Sequence, residues 1–476
     1  MTSGRPPTHA PYPYPLSADA LREAVAQYGA NPVYQDSAEW FNEDNPYRRQ
    51  MRPQDLGHLD FSRVLPASEI LGNSALAAQR LLTSIYEADM MYLPPTGFAE
   101  KREDFSAFYN ASNRTLGEMI RPALERHAYG FLDDEVHVTG KWTRDSFRSY
   151  LEAFAENPPN GDSPSIRAVE NSSDPERAAR MYLLQFAADF LSEASPMVRN
   201  ALGNYGNPQS EWFKIIIDEY GYGVHETKHS RLYENTLESV GLRSDVHHYW
   251  QFYLSSSLMM NNYFHFLAKN HENFFRHLGA LYYTETALIE DCRSQSKMMR
   301  KVFGDSADVT YFDEHVHIDT HHSRMAIDKL IWPVIERCGE GVIPDIVRGF
   351  EELQAINVIA DRDLVDQIRW MDGEPVGKDL HGPVRAAIDS GTVTAPVTRL
   401  VEPRGKLTNT FVHDEDVLCH VVSGTMKVVC GLDSHHILEA GQGMVIPRQR
   451  LHGASIESEE CVYEIHSVGD YRKCLS

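Results

Sequence analysis

Apolar residues recur at three- and four-residue spacing along most of the chain, and that spacing predicts helices. Ser17 can cap an amphipathic segment that starts at Ala18 and ends at Gly29, and the stretches 67–93 and 104–132 carry the same period. A polar run at 156–165, ENPPNGDSPS, interrupts the pattern and reads as a boundary. The helical period resumes near Asp174 and continues to about Met371. Its segments 175–195, 211–220, 275–294 and 317–337 are each long enough for a bundle helix. After about Gly382 the texture changes to short β-branched runs punctuated by Gly, Pro and Asp, such as 416–430, 435–447 and 460–468. These predict a small all-β barrel or sandwich. The expected fold is therefore multidomain: an all-α N-terminal block over 1–140, a helical bundle over 141–380 and an all-β domain over 381–476. The first 16 residues carry five Pro and read as a flexible arm.

The 476 residues hold 45 Lys plus Arg against 68 Asp plus Glu, a formal charge of −23. That balance disfavours a nucleic-acid or anionic-membrane surface. The N-terminus has no apolar leader and no apolar run reaches ~18 residues, so a soluble cytoplasmic protein is expected. Six Cys without a C-x-x-C pair argue against a zinc ribbon and against a disulfide scaffold. The 22 His are unevenly spread, with eleven of them between His225 and His322.

The sharpest chemical signal lies in that window. His315, Asp319 and His322 stand at i, i+4 and i+7, which places them at about 0°, 40° and −20° around a helix, on one stripe. His317 and His321 point away. One helix cannot complete a metal site, so inward carboxylates are needed from elsewhere. Glu193, Glu219 and Glu285 each sit in a mainly apolar stretch, where an unpaired acid is costly. His229 follows Glu219 by ten residues, and the intervening Tyr220-Gly221-Tyr222-Gly223 permits a helix break that brings both to one centre. The predicted ligand set is Glu193, Glu219, His229, Glu285, His315, Asp319 and His322. Its four carboxylates match the charge of two divalent cations, and its donors suit iron, manganese or zinc. A competing reading is a zinc metallopeptidase, because His225-Glu226-Thr227-Lys228-His229 is a literal H-E-x-x-H. Lys228 and the preceding glycine-rich turn are out of place in that motif.

In their order, these positions resemble the haem-oxygenase-like diiron oxidases: a Glu, then a Glu and a His, a further Glu, and a terminal His-x3-Asp-x2-His. FLSEASPM, EYGYGVH, TKHS, NNYFHFL and VYEIHSVGDYRKC extend the resemblance over nearly the whole chain, toward members that carry a C-terminal cupin and form N-nitrosoureas. The resemblance implies a dimerising N-terminal block and a central domain that binds two irons and uses O2 to hydroxylate guanidine nitrogens. The implied substrate is arginine-derived and N-methyl-L-arginine-like. Each hydroxylation takes two electrons from outside, and no flavin or nicotinamide fingerprint is present, so an external electron donor is implied.

The cupin region departs from the pattern expected of it. In G-x5-H-x-H-x3,4-E, Gly405 leads to Phe411 at the first ligand position and His413 at the second, and Val417 or Leu418 stands at the acidic position. The second element, Gly441-x5-Pro447-x4-His452, is intact. With His413 and His452 alone, the third iron is not expected and the chain stops at a hydroxylated guanidine. Glu415, Asp416 or His420 are the candidates to substitute. An active cupin would instead rearrange the dihydroxylated product to an N-nitrosourea.

Overall fold

A computed structural model describes residues 16–156, 163–373 and 377–475. The N-terminal arm and residues 157–162 of the polar boundary lie outside the described residues.

The N-terminal block contains helices α1 (Ala18–Gly29), α2 (Asn73–Glu87), α3 (Phe98–Tyr109) and α4 (Ala111–Tyr129), and α5 (Arg144–Glu156) comes after it. Ser17 caps α1 through Ala20 N, as its sequence predicts. The period over 104–132 does not give one helix. Asn110 adopts an extended conformation, and its side chain accepts from Asn113 N at 2.8 Å, which ends α3 and starts α4. The period over 67–93 is likewise cut back to α2, which begins after a turn at Gly72.

The bundle follows with α6 (Pro164–Asn171), α7 (Pro175–Phe190), α8 (Asn207–Glu219), α9 (His229–Ser239), α10 (Ser255–Lys269), α11 (Phe274–Phe303), α12 (Thr310–Met325) and α13 (Ile343–Met371). A π-helical turn, Ala326–Ile331, continues directly from α12. Helices α11 and α13 cross at van der Waals contact. A Cβ on Gly279 would lie 1.8 Å from Ile346 O, and one on Gly349 would lie 1.9 Å from Arg276 O. Only glycine permits this approach.

After α14 (His381–Asp389) come eight strands: β1 (Val397–Pro403), β2 (Leu407–Phe411), β3 (Asp416–Ser423), β4 (Thr425–Gly431), β5 (Ser434–Glu439), β6 (Gly443–Ile446), β7 (His452–Ile456) and β8 (Glu460–Gly469). They form two four-stranded antiparallel sheets, ordered β1-β8-β3-β6 and β2-β7-β4-β5. This is the small β-barrel that the strand texture predicts.

The cores are continuous across these parts. Leu81, Leu82 and Tyr86 of α2 pack in one cluster with Met259, Tyr263 and Phe266 of α10. Trp370 and Met371 of α13 share another with Val428, Cys430 and Leu432 of the barrel. Gln367 seals that junction by donating to Cys430 O at 2.7 Å and Leu451 O at 3.0 Å. Among the described residues no helix is long and apolar enough to cross a membrane.

Candidate metal centre

Helix α7 runs to Phe190, and the following turn, with Ala194 at φ 61°, brings Glu193 inward. Helix α8 delivers Glu219 at its last residue. The break after it is the one the glycines predict: Gly221 at φ 59° and Tyr222 at φ 53° reverse the chain. A Cβ on Gly221 would meet Lys228 N at 2.6 Å, so only glycine allows the fold-back that starts α9 at His229. Glu285 comes from α11, and α12 presents His315, Asp319 and His322. All three are buried, while His317 and His321 on the opposite face are exposed.

These side chains assemble into two adjoining groups. Glu193, Glu219, His229 and His315 place ligand atoms within 4.8 Å of one another, as do Glu219, Glu285 and His322. Glu219 belongs to both groups. Asp319 is 1% exposed, and its Oδ1 lies 3.8 Å from His322 Nδ1. The structure thus brings together all seven residues that the sequence predicts.

The geometry fits cations better than the side chains' own interactions do. His229 Nδ1 lies 2.6 Å from Glu219 Oε2 and 3.2 Å from His315 Nε2, so three ligand atoms crowd a common point. Among the described residues Glu193 Oε2 and Asp319 Oδ2 are buried without a hydrogen bond. Separations of 3.2 Å (His315 Nε2 to Glu193 Oε1), 3.3 Å (His322 Nδ1 to Glu285 Oε2) and 3.4 Å (His322 Nδ1 to Glu219 Oε1) recur. Two atoms at right angles, each about 2.1 Å from a metal, stand about 3 Å apart. Electrostatics agree. Burial pushes the Asp319 carboxyl well above its usual range, and Glu285 and Glu219 push it further. Burial opposes the charged form of His322, yet Glu285 and Glu219 raise it to about 10. Without a cation, the cluster has to take up protons; divalent ions would replace them.

Sequence reasoning missed two residues that aim the ligands. Asp218 Oδ2 accepts from His322 Nε2 at 3.2 Å, which turns Nδ1 toward Glu219 and Glu285. The Tyr311 hydroxyl donates to Glu193 Oε1 at 2.7 Å, and Tyr311 O accepts from His315 Nδ1 at 2.8 Å, leaving Nε2 free to face the centre. Asp218 adjoins Glu219 and Tyr311 precedes His315 by one turn, and those positions are the signal that was available.

The peptidase reading is overturned. His225 lies in a separate 3-10 turn, Lys228 is extended, and His225 and Glu226 are exposed, so His225 and His229 do not share a helix face. His229 faces Glu219 instead.

In the barrel, Phe411 packs on both remaining imidazoles, with ring centroids 4.9 Å from His413 and 4.5 Å from His452. The Arg52 guanidinium lies 4.0 Å above the Phe411 ring. Burial drives His413 down to about 4, with Arg52 adding to it, and His452 also well below its usual range, so both are neutral. None of the candidate substitutes reaches them. Glu415 is exposed, Asp416 accepts from Arg448 N and Tyr471 N, and His420 pairs with His381 at 3.0 Å beside α14. Among the described residues no third ligand joins this pair, and the site does not fit an iron ion.

Residues 180–355, which carry all seven candidate ligands, match the family model of iron-containing redox enzymes of the haem-oxygenase-like type. The chain is 60% identical to the nitrosourea synthase of Streptomyces achromogenes subsp. streptozoticus over 463 residues, covering 97% of this chain and 98% of that protein. A resemblance of this extent, with the ligand cluster assembled inside the matched region, means that the chain belongs to the nitrosourea synthase family of iron-containing redox enzymes.

Proposed function

We propose that this iron redox enzyme is an O2-dependent diiron N-oxygenase that hydroxylates guanidine nitrogens of an arginine-derived, N-methyl-L-arginine-like substrate. The observation that carries the reading is the pair of ligand groups joined at Glu219. Glu193, Glu219, His229 and His315 would hold one iron, and Glu219, Glu285, Asp319 and His322 the other. Iron held by these residues would supply the one-electron redox chemistry that O2 activation needs, with an external donor providing the two electrons of each hydroxylation. The chain's own work is to position and to neutralise. Asp218 and Tyr311 fix the imidazole and carboxylate orientations, four carboxylates balance two divalent cations, and the packed helices exclude water.

The Phe411 pocket supports a barrel that binds no iron and shapes the chain instead, so turnover ends at the hydroxylated guanidine. The second reading is a complete N-nitrosourea synthase with an active cupin, favoured by the 60% identity to a protein of that name. Incubating the intact chain with Fe(II), O2, reductant and N-methyl-L-arginine separates the two. N-hydroxylated product without nitroso product is expected. A nitroso product that disappears on Phe411→Ala or His452→Ala would establish the second reading. Met91, Leu93 and Phe98, exposed on the N-terminal block, support a homodimer through that block, and light scattering should return twice the chain mass of 54.1 kDa.

A further inference from the structure

A cavity of about 360 Å³ lies beside the metal centre, enclosed by α6, α7, α10, α11 and α13. Its size falls in the ~300–1,000 Å³ range of small-molecule sites. Phe190 on its wall packs against the Tyr311 ring at 5.0 Å, the Tyr311 hydroxyl donates to Glu193, and Thr284 on the wall adjoins Glu285, so the cavity lies next to residues that hold the candidate ligands. Phe264, Tyr283, Met260 and Leu353 make much of the rest of the wall apolar.

Many polar groups on the wall pair with one another, as Ser257 Oγ does with Gln185 and Asn357 Nδ2 with the Tyr283 hydroxyl, but two carboxylates and one amide oxygen do not. The side-chain carboxylates of Asp189 and Asp291 make no hydrogen bond or ion pair among the described residues. Burial pushes both up to about 7; Glu193 and Glu219 add to it at Asp189, and Asp361 and Glu290 at Asp291. Asp189 stands four residues before Glu193, and Asp291 six residues after Glu285. Gln295, 2% exposed, donates from Nε2 to the Tyr182 hydroxyl at 2.9 Å, while its Oε1 is buried and unpartnered. Two carboxylates and an amide oxygen left unsatisfied around an apolar space call for a cationic occupant rich in N–H donors. A guanidinium offers such donors in a planar fork. Arg362 and Asp361 stand at the rim, the former free to take a carboxylate.

We infer that this cavity is the substrate pocket, with Asp189 anchoring the substrate's guanidinium beside the metals and Asp291 holding its α-ammonium group. The inference rests on guanidine N-oxygenation as the reaction. It assigns both acids to positioning and specificity.

The test is equilibrium dialysis of N-methyl-L-arginine and L-citrulline, whose urea replaces the guanidinium, against anaerobic iron-loaded protein, with iron counted on the same samples. The native chain should prefer the guanidine, and Asp189→Asn should erase that preference by about 10- to 100-fold with iron content unchanged, as expected for losing a charge-assisted bond. A retained preference would overturn the assignment. Should Asp189→Asn lose iron, Asp291→Asn decides, because Asp291 lies roughly 9 Å along α11 from Glu285. It should lose discrimination between N-methyl-L-arginine and the guanidino acid that lacks the α-amino group, and unchanged discrimination would overturn the inference. A native chain that hydroxylates guanidines while both variants keep their preferences sinks the pocket alone; a native chain that binds no guanidine sinks the reaction with it.

Discussion

His322 can turn only one nitrogen toward the metal centre, because Asp218 takes the other at 3.2 Å. Asp218→Asn keeps the side chain's size and weakens that hold. It should lower Fe(II) affinity by about 10- to 100-fold in a competition titration while the far-UV spectrum stays native. Unchanged affinity would mean that Asp218 does not orient the ring. The seven candidate ligands were legible in the sequence as a cluster for a physical reason: an acid or imidazole on an apolar helix needs a partner, and the 100° step groups His315, Asp319 and His322. Asp218 and Tyr311 were not legible. An acid beside another acid reads as a helix end, and a Tyr in an apolar stretch reads as core. Phe411 was legible as a missing ligand, whereas Arg52 above it, 359 residues earlier in the chain, had no local signature.

At the scale of elements, periodicity located the helices and misplaced some of their ends. The stretch 104–132 keeps its period through Asn110, and only that side chain's bond to Asn113 N divides it. The crossing of α11 and α13 was invisible, since it depends on Gly279 and Gly349 meeting backbone 67 and 73 residues away in sequence. Gly279→Ala would put a methyl 1.8 Å from Ile346 O. The helices would have to separate, at a cost of at least about 2 kcal/mol in urea unfolding. Because α11 carries Glu285, iron binding should weaken in the same variant. A variant as stable as the native chain would show that the crossing is looser than the structure has it.

Across the whole molecule, the continuity of the cores ties the parts together, and no local pattern reports it. Glu87 of α2 is fully buried, with Arg49 Nη1 at 2.5 Å and His247 Nε2 of the bundle at 2.7 Å. Burial alone would raise the Glu87 carboxyl, but Arg49 and His247 hold it at about 2. Its folded value therefore lies below its ordinary 4.5, so its contribution is complete above pH 4.5 and is lost as pH falls toward 2. His247 is pushed down by burial, which removes further stability as pH falls below 6.5. Glu87→Gln should cost about 3–5 kcal/mol by stranding Arg49, and it should flatten the acid limb of a stability-against-pH curve. An unaltered acid limb would place the pH dependence elsewhere. The N-oxygenase reading itself turns on how many irons the native chain holds. Anaerobic Fe(II) titration of the full chain should saturate at about two irons, matching the two ligand groups that share Glu219 and the barrel that offers only His413 and His452. Saturation at three would put a working iron site in the barrel, and saturation at one would contradict the two-metal centre.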